Sequence, residues 1–246
     1  MAIALLADVH ANLEALEACL AHANARGVRS HAFLGDLVGY GADPAAVVDI
    51  VMRHASEGAA VVKGNHDAAA CGERGYLNET ARAAVEWSRG VLSAEQAEFL
   101  RTLPLCIRHG PACIVHAMAA APERWDYVDS PGAAERSVRA AGTPYTFSGH
   151  VHEQLLYGAD AKGHMIAFRP QPGMQVSIKA TRSWLALAGS VGQPRDGNTS
   201  AAYAIADLEE ASITFHRVPY DVGAAARKIR AAGLPEMLAY RLERGI

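Results

Sequence analysis

A chain of 246 residues, half of them apolar, is long enough to bury a sizeable core, which excludes a disordered or fibrous protein. Its formal charge of -3 and pI near 6.4 leave no broad basic surface for a long nucleic acid, so phosphate recognition, if present, is expected to be local. No stretch approaches the roughly 20 apolar residues that span a bilayer, and the run from Met1 to Asp8 has no basic leader, so a soluble cytoplasmic protein is expected.

Ile3 to Ala7 is a short apolar run bounded by Asp8-Val9-His10 and reads as a buried parallel strand. Asn12 then caps a helix with Leu13, Leu16 and Leu20 on one face and Gly27 past its end. The pattern repeats, with a strand at His31 to Leu34, the loop Gly35-Asp36-Leu37-Val38-Gly39-Tyr40-Gly41, and a helix opened by Asp43-Pro44 that carries Val47, Val48 and Val51. Ala59 to Val62 is a third strand, ending in Lys63-Gly64-Asn65-His66-Asp67. Residues 68–104 read as a helical insertion, with one helix over Glu79 to Arg89 and a second opened by a Ser93/Gln96 capping box and stopped before Pro104.

Two further apolar strands, around Cys113 to Val115 and Tyr145 to Phe147, end in His116 and in Ser148-Gly149-His150-Val151-His152. The pattern is then β-rich, with runs near Met165 to Phe168, Trp184 to Ala188, Ala201 to Ala206 and Ser212 to Val218, and Asp196-Gly197-Asn198 reads as a hairpin turn. Helices return from Asp221 to Gly233 and beyond Pro235. With no linker, repeat or low-complexity tract, a single domain over 1–246 is expected.

Strands alternating with helices imply a parallel sheet whose polar site residues gather beyond the carboxyl ends of the strands. Collecting those residues gives Asp8, His10, Asp36, Asn65, His116, His150 and His152, a set of imidazoles, carboxylates and one amide with no thiolate. It is too large for one tetrahedral zinc and suits two ions of coordination five or six. In an extended segment the spacings Asp8-Val9-His10 and His150-Val151-His152 point two side chains the same way, so each pair can grip one ion. Asp36 read alone is either a turn residue or a ligand left uncovered by the surrounding glycines.

The bland readings go to the rest. Cys19, Cys71, Cys106 and Cys113 have no close-pair spacing and read as buried free thiols. His22, His31, His54, His109, His164 and His216 lie outside any motif, and Trp87, Trp125 and Trp184 read as packing residues. Arg74, Arg124 and Arg195 are candidates to clamp a phosphate, but none is singled out, because most arginines are solvated. Gly189-Ser190-Val191-Gly192 lacks the lysine of a P-loop and reads as a turn.

From Asp8 to His152 the order Asp-x-His, Gly-Asp, Gly-Asn-His-Asp, His and Gly-His-x-His resembles the calcineurin-like metallophosphoesterases, in particular the small bacterial phosphodiesterases and phosphatases, and a weaker likeness extends through Gly189 to Gly192. The resemblance implies a four-layer α/β/β/α sandwich with two packed β-sheets flanked by helices. It implies one metal on Asp8, His10 and His152, a second on Asn65, His116 and His150, and Asp36 shared. It also implies that His66 faces the substrate as the catalytic histidine, with Asp67 either orienting it or capping the next helix. Two divalent ions, manganese first and iron, zinc or nickel as alternatives, would then hold a bridging hydroxide that hydrolyses a phosphomonoester or phosphodiester.

The expected partner is a small phosphorylated substrate, which includes nucleotides. A dinucleoside polyphosphate hydrolase is compatible with the motifs. A protein Ser/Thr phosphatase fits less well, since Gly39 and Tyr40 stand where those relatives carry a further Asp and an Arg. A non-catalytic scaffold of the same fold is the alternative of another class, and retention of His66 with every ligand position argues against it.

Overall fold

The computed structural model describes residues 2–246 apart from Arg74 and Tyr76. Arg74, one of the three arginines weighed as a phosphate clamp, therefore lies outside the described residues.

In the first sheet β1 (Ala2–Leu6), β2 (Ser30–Phe33) and β3 (Ala60–Val61) run parallel. They are joined by α1 (Leu13–Ala25), whose cap Asn12 accepts from the Ala15 N–H, and α2 (Pro44–Ser56), which begins on proline. The other edge of β1 pairs antiparallel with β11 (Ala201–Asp207), followed by β12 (Ser212–Val218) and β9 (Gln175–Ser177), so the order is β3-β2-β1-β11-β12-β9. The second sheet places β5 (Ala112–Val115), β6 (Tyr145–Ser148) and β10 (Trp184–Ala188) parallel at its centre. Antiparallel β4 (Cys106–His109) closes one edge, and β7 (Gln154–Ala159) with β8 (Met165–Phe168) closes the other.

The period of two along each strand sorts side chains between layers. Leu5, Leu34, Ile114, Phe147, Ala186, Ala204 and Phe215 meet between the sheets. Their neighbours Leu6 and Phe33 face outward against Leu16, Val47, Val48 and Val51 of α1 and α2. On the far side Tyr157, Leu185 and Leu187 pack against Ala133, Ala134 and Val138 of α6 (Pro131–Ala141). Each buried Leu or Phe contributes about 1.5–3 kcal/mol, and together they hold the four layers expected from the sequence. A further cluster joins α4 (Glu79–Val91), α7 (Val222–Ala231) and α8 (Glu236–Arg244) to Tyr40 in the loop after β2.

Three details differ from expectation. Asp196 to Asn198 is no hairpin, because β10 lies in one sheet and β11 in the other, so that segment crosses between sheets. The hairpin that follows joins β11 to β12 with no glycine in its turn; Asp207 accepts the Glu209 and Glu210 N–H groups instead. Cys106 and Cys113 have their sulfurs 3.2 Å apart across the β4–β5 pair, although they are seven positions apart in sequence. All four cysteines are free thiols, of which Cys19 and Cys113 are buried. No helix among the described residues is long and apolar enough to cross a membrane.

Candidate metal centre

The polar residues gather where the six parallel strands end. β1 runs out into Asp8 and His10, β2 into Asp36, β3 into Asn65 and His66, β5 into His116, β6 into His150 and His152, and β10 into the turn Gly189–Gln193. The spacing argument from extended backbone fails at both paired motifs. Asp8, His10, His150 and His152 have φ of 53, 47, 68 and 64°, and Asp36 has 53°. The chain therefore turns as soon as it leaves the sheet, and side chains from different strands converge instead of lying along them. Left-handed backbone at non-glycine residues costs of order 1–3 kcal/mol each. Hydrogen bonds between loops hold it, since the Asp8, His10 and Ala11 N–H groups donate to the carbonyls of Gly35, Asp36 and Leu37 at 3.1, 2.8 and 2.8 Å.

Three overlapping groups could each hold an ion, with donor atoms within 4.8 Å of one another: Asp8, His10 and His152; His10, Asp36 and His66; Asp36, His116 and His150. Asn65 joins the last, its Oδ1 lying 3.1 Å from His116 Nε2. All the sequence candidates except Asp67 thus converge.

The outer ring nitrogens explain why the inner ones point inward. His116 Nδ1 donates to Leu34 O at 2.8 Å, His10 Nδ1 to Val38 O at 3.2 Å and His152 Nδ1 to Gln193 O at 2.6 Å. A carbonyl can only accept, so the protons of His10 and His152 sit on Nδ1 and each Nε2 presents a lone pair. The 3.1 Å approach of His10 Nε2 to His152 Nε2 is then a meeting of two acceptors rather than a hydrogen bond. Such a pair needs a cation between or beside it, and backbone-tethered imidazoles are how proteins orient metal ligands. The residues present fit a divalent metal.

Charge gives the same answer. Asp8, Asp36 and Asp67 are fully or almost fully buried, and among the described residues the ion-pair contacts of Asp8 and Asp36 are to histidines. Burial pushes the Asp8 carboxyl up to about 7, against the pull of His116. Burial also acts to raise Asp36, but His116 and His66 outweigh it and hold that carboxyl well below its usual range. His116 is raised to about 9, because Asp36 and Asp8 overcome the burial that would lower it. Burial keeps His10 and His152 well below the ordinary imidazole range, and His150 at about 3. One proton on His116 is thus the positive charge the carboxylates demand, and a metal cation would displace it.

Asp67 does something other than touch the histidine beside it. Its Oδ1 accepts the Leu37 and Val38 N–H groups at 2.8 and 3.2 Å, and its Oδ2 accepts the Gly64 N–H at 2.9 Å at the start of α3 (Asn65–Ala70). Of the two readings left open, the helix cap is the observed one, and it also ties the Asp36 loop to the Asn65 turn. Those loops touch so closely that a Cβ on Gly64 would lie 2.1 Å from Asp36 Oδ1. A Cβ on Gly39 would lie 2.3 Å from the ring of His66. That ring is packed against Tyr40 and His10, with centroids at 4.5 and 4.8 Å, and its buried Nδ1 has no partner. Burial lowers its pKa.

Asp36, Asn65, His66, His150 and His152 open into a cleft of about 100 Å³, walled by Leu77, Asn78 and Ala81 on one side and by Tyr127 on another. Tyr127 stacks on the His150 ring at 4.1 Å, and Trp125 stands edge-on to His116 at 5.9 Å. Trp125 is therefore at the site, whereas Trp87 and Trp184 pack as expected. Arg195 also lines the cleft; Arg124 is exposed and paired with Asp126. Sequence reasoning set Arg195 aside with the other arginines. Its signal was position, since it follows the turn that ends β10, a strand parallel to β6, which runs out into His150 and His152. The six histidines outside the motifs do not enter the three groups.

Residues 1–211 match the calcineurin-like phosphoesterase superfamily domain. An uncharacterized protein of Methanocaldococcus jannaschii is 34% identical over 251 residues, covering 98% of this chain and 96% of its own. A metallophosphoesterase from Sphaerobacter thermophilus superposes with a TM-score of 0.90 at 36% identity, over 100% of this chain and 99% of that one. A hypothetical protein from Pyrococcus horikoshii shares the fold at 18% identity, with a TM-score of 0.79 over 100% and 98% of the two chains. The chain belongs to the calcineurin-like phosphoesterase superfamily.

Proposed function

Starting from that membership, we propose that the chain is a phosphoesterase dependent on two divalent metal ions, hydrolysing phosphomonoester or phosphodiester bonds of small substrates. Asp8, His10 and His152 hold one ion, Asn65, His116 and His150 the other, and Asp36 contributes to both. The observation that carries the reading is the pair of donor groups on either side of Asp36, with imidazole lone pairs facing each other at 3.1 Å. When bound, two such cations supply Lewis-acid charge for phosphate oxygens and a water acidic enough to attack near neutral pH.

The chain's own residues do the rest. The carbonyls of Leu34, Val38 and Gln193 fix the tautomers of three imidazoles, so their donor nitrogens need no rearrangement. Burial lowers the His66 pKa and favours the neutral imidazole, whose N–H can donate a hydrogen bond to a phosphate oxygen. Tyr40 and Gly39 hold that ring on the cleft side of Asp36. Manganese, iron, zinc and nickel are all compatible with such a mixed nitrogen and oxygen donor set, and manganese is the ion to try first.

The test is elemental analysis with turnover of p-nitrophenyl phosphate and bis-p-nitrophenyl phosphate after Mn²⁺ loading, extended to mononucleotides, cyclic nucleotides and dinucleoside polyphosphates. Two ions per chain and chelator-sensitive hydrolysis are expected. A loaded protein that turns over no ester would leave a non-catalytic role of the fold.

A further inference from the structure

Arg195 makes no ion pair among the described residues, unlike Arg101, Arg124, Arg169, Arg217 and Arg230, each of which meets a carboxylate. It is only half-buried, yet its guanidinium is fixed. Nε and Nη2 donate to Gln193 Oε1 at 3.3 and 3.0 Å, Nη2 reaches the Tyr40 hydroxyl at 3.4 Å, and the group lies over the Tyr40 ring at 5.8 Å. Gln193 is 1% exposed and its amide nitrogen has no partner, so that side chain is buried at a cost and its oxygen serves the arginine. The Arg195 backbone N–H donates to His152 O at 3.4 Å, which ties the residue to a ligand loop.

A guanidinium held in place, without a counter-ion, on the wall of a cleft shared with Asp36, His66 and His152 is half of an ion pair. Its Nη1 has no protein acceptor among the described residues. The missing half is an anion in the cleft. A phosphomonoester carries one more charged oxygen than a diester, and that oxygen is what a forked donor has to gain.

We propose that Arg195 binds the substrate phosphoryl group and makes the site select phosphomonoesters over phosphodiesters; this rests on the phosphoesterase reading above. Tyr40 and Gln193 act through it as positioning residues.

The test compares Mn²⁺-loaded wild type, Arg195→Gln, Arg195→Lys and the control Arg124→Gln on p-nitrophenyl phosphate and bis-p-nitrophenyl phosphate. Wild type should prefer the monoester. Arg195→Gln should lower kcat/KM for the monoester by about 10- to 100-fold, mainly through KM, as expected for a lost charged hydrogen bond. The diester should fall by less than about threefold, since it lacks the oxygen that gains most from the pair. Arg195→Lys should fall between, because it keeps the charge and loses the fork. Calorimetric binding of inorganic phosphate should weaken in parallel, with metal content unchanged. Equal losses on both esters, no loss, a wild-type preference for the diester, or a larger effect at Arg124 would overturn the proposal. Should Arg195→Gln melt early, the same comparison in Arg195→Lys decides. Absence of turnover of either ester by wild type would instead bring down the phosphoesterase reading, and this proposal with it.

Discussion

The parallel strands end differently at their two ends. Their carboxyl ends carry Asp8, His10, Asp36, Asn65, His66, His116, His150 and His152 into one cluster. Around the amino ends Ile3, His31, Ala60, Ala112 and Ile114 line an apolar crevice of about 260 Å³. Histidine alone does not separate them, because His31 and His109 stand at the apolar end. Backbone does. Asp8, His10, Ala11, Asp36, Tyr40, His150 and His152 are all left-handed at the polar end; at the other, Gly58 and Gly110 take the positive φ at little steric cost, and Ala211 in the β11–β12 turn does so as a non-glycine residue. Strain is concentrated where side chains must converge.

The largest effect that would test this contrast is at Asp36. Replacing it with Ala should cost on the order of 10³-fold in kcat/KM, together with bound metal measured by elemental analysis. His66→Gln should lower kcat by roughly 10²- to 10⁴-fold while metal content stays at the wild-type value; loss of metal would move His66 into the ligand set. Gly64→Ala forces a Cβ into the Asp36 carboxylate and should weaken metal affinity by about 10- to 100-fold, read by competition with a chelator.

At the amino ends the expected losses are of stability alone. Ile114→Ala, at 1% exposure between the sheets, should destabilise by about 2–5 kcal/mol in denaturant and leave kcat unchanged well below the melting temperature. A drop in kcat there would mean the two ends are coupled. The smallest effect is at His31, which burial and the charge of His54 push down to about 4. A depressed imidazole contributes stability that is present above its unfolded pKa near 6.5 and is lost as pH falls toward 4. The melting temperature of His31→Gln should therefore depend less on pH across that window, with activity untouched.

What could be read from the sequence follows the same division. The ligand candidates were legible because each sits at the first polar residues after an apolar run, where a parallel strand ends. The backbone that aims them was not, since nothing in Asp-Val-His distinguishes an extended segment from two left-handed residues; loops from other strands decide that. Asp67 was ambiguous for a related reason: its three N–H partners lie in two segments, one of them 30 residues away. Arg195 was hidden because an arginine's role rests on whether a carboxylate lies nearby in space. The Asp196 to Asn198 turn misled because turn chemistry tells that the chain bends, but not which sheet it enters next.

The contact of His10 with His152 spans 142 positions of the chain. Non-local contacts of this kind form late, after loop closure and sheet pairing. During synthesis a nascent chain can present Asp8, His10 and Asp36 long before β6 exists, but the imidazole that completes the first donor group emerges only when three-fifths of the chain has been made. On the proposed ligand assignment, full-strength ion capture would be deferred until both sheets have docked, because an ion met earlier would find only part of the donor set. The order of the motifs along the polypeptide would then act as a timer on metal loading.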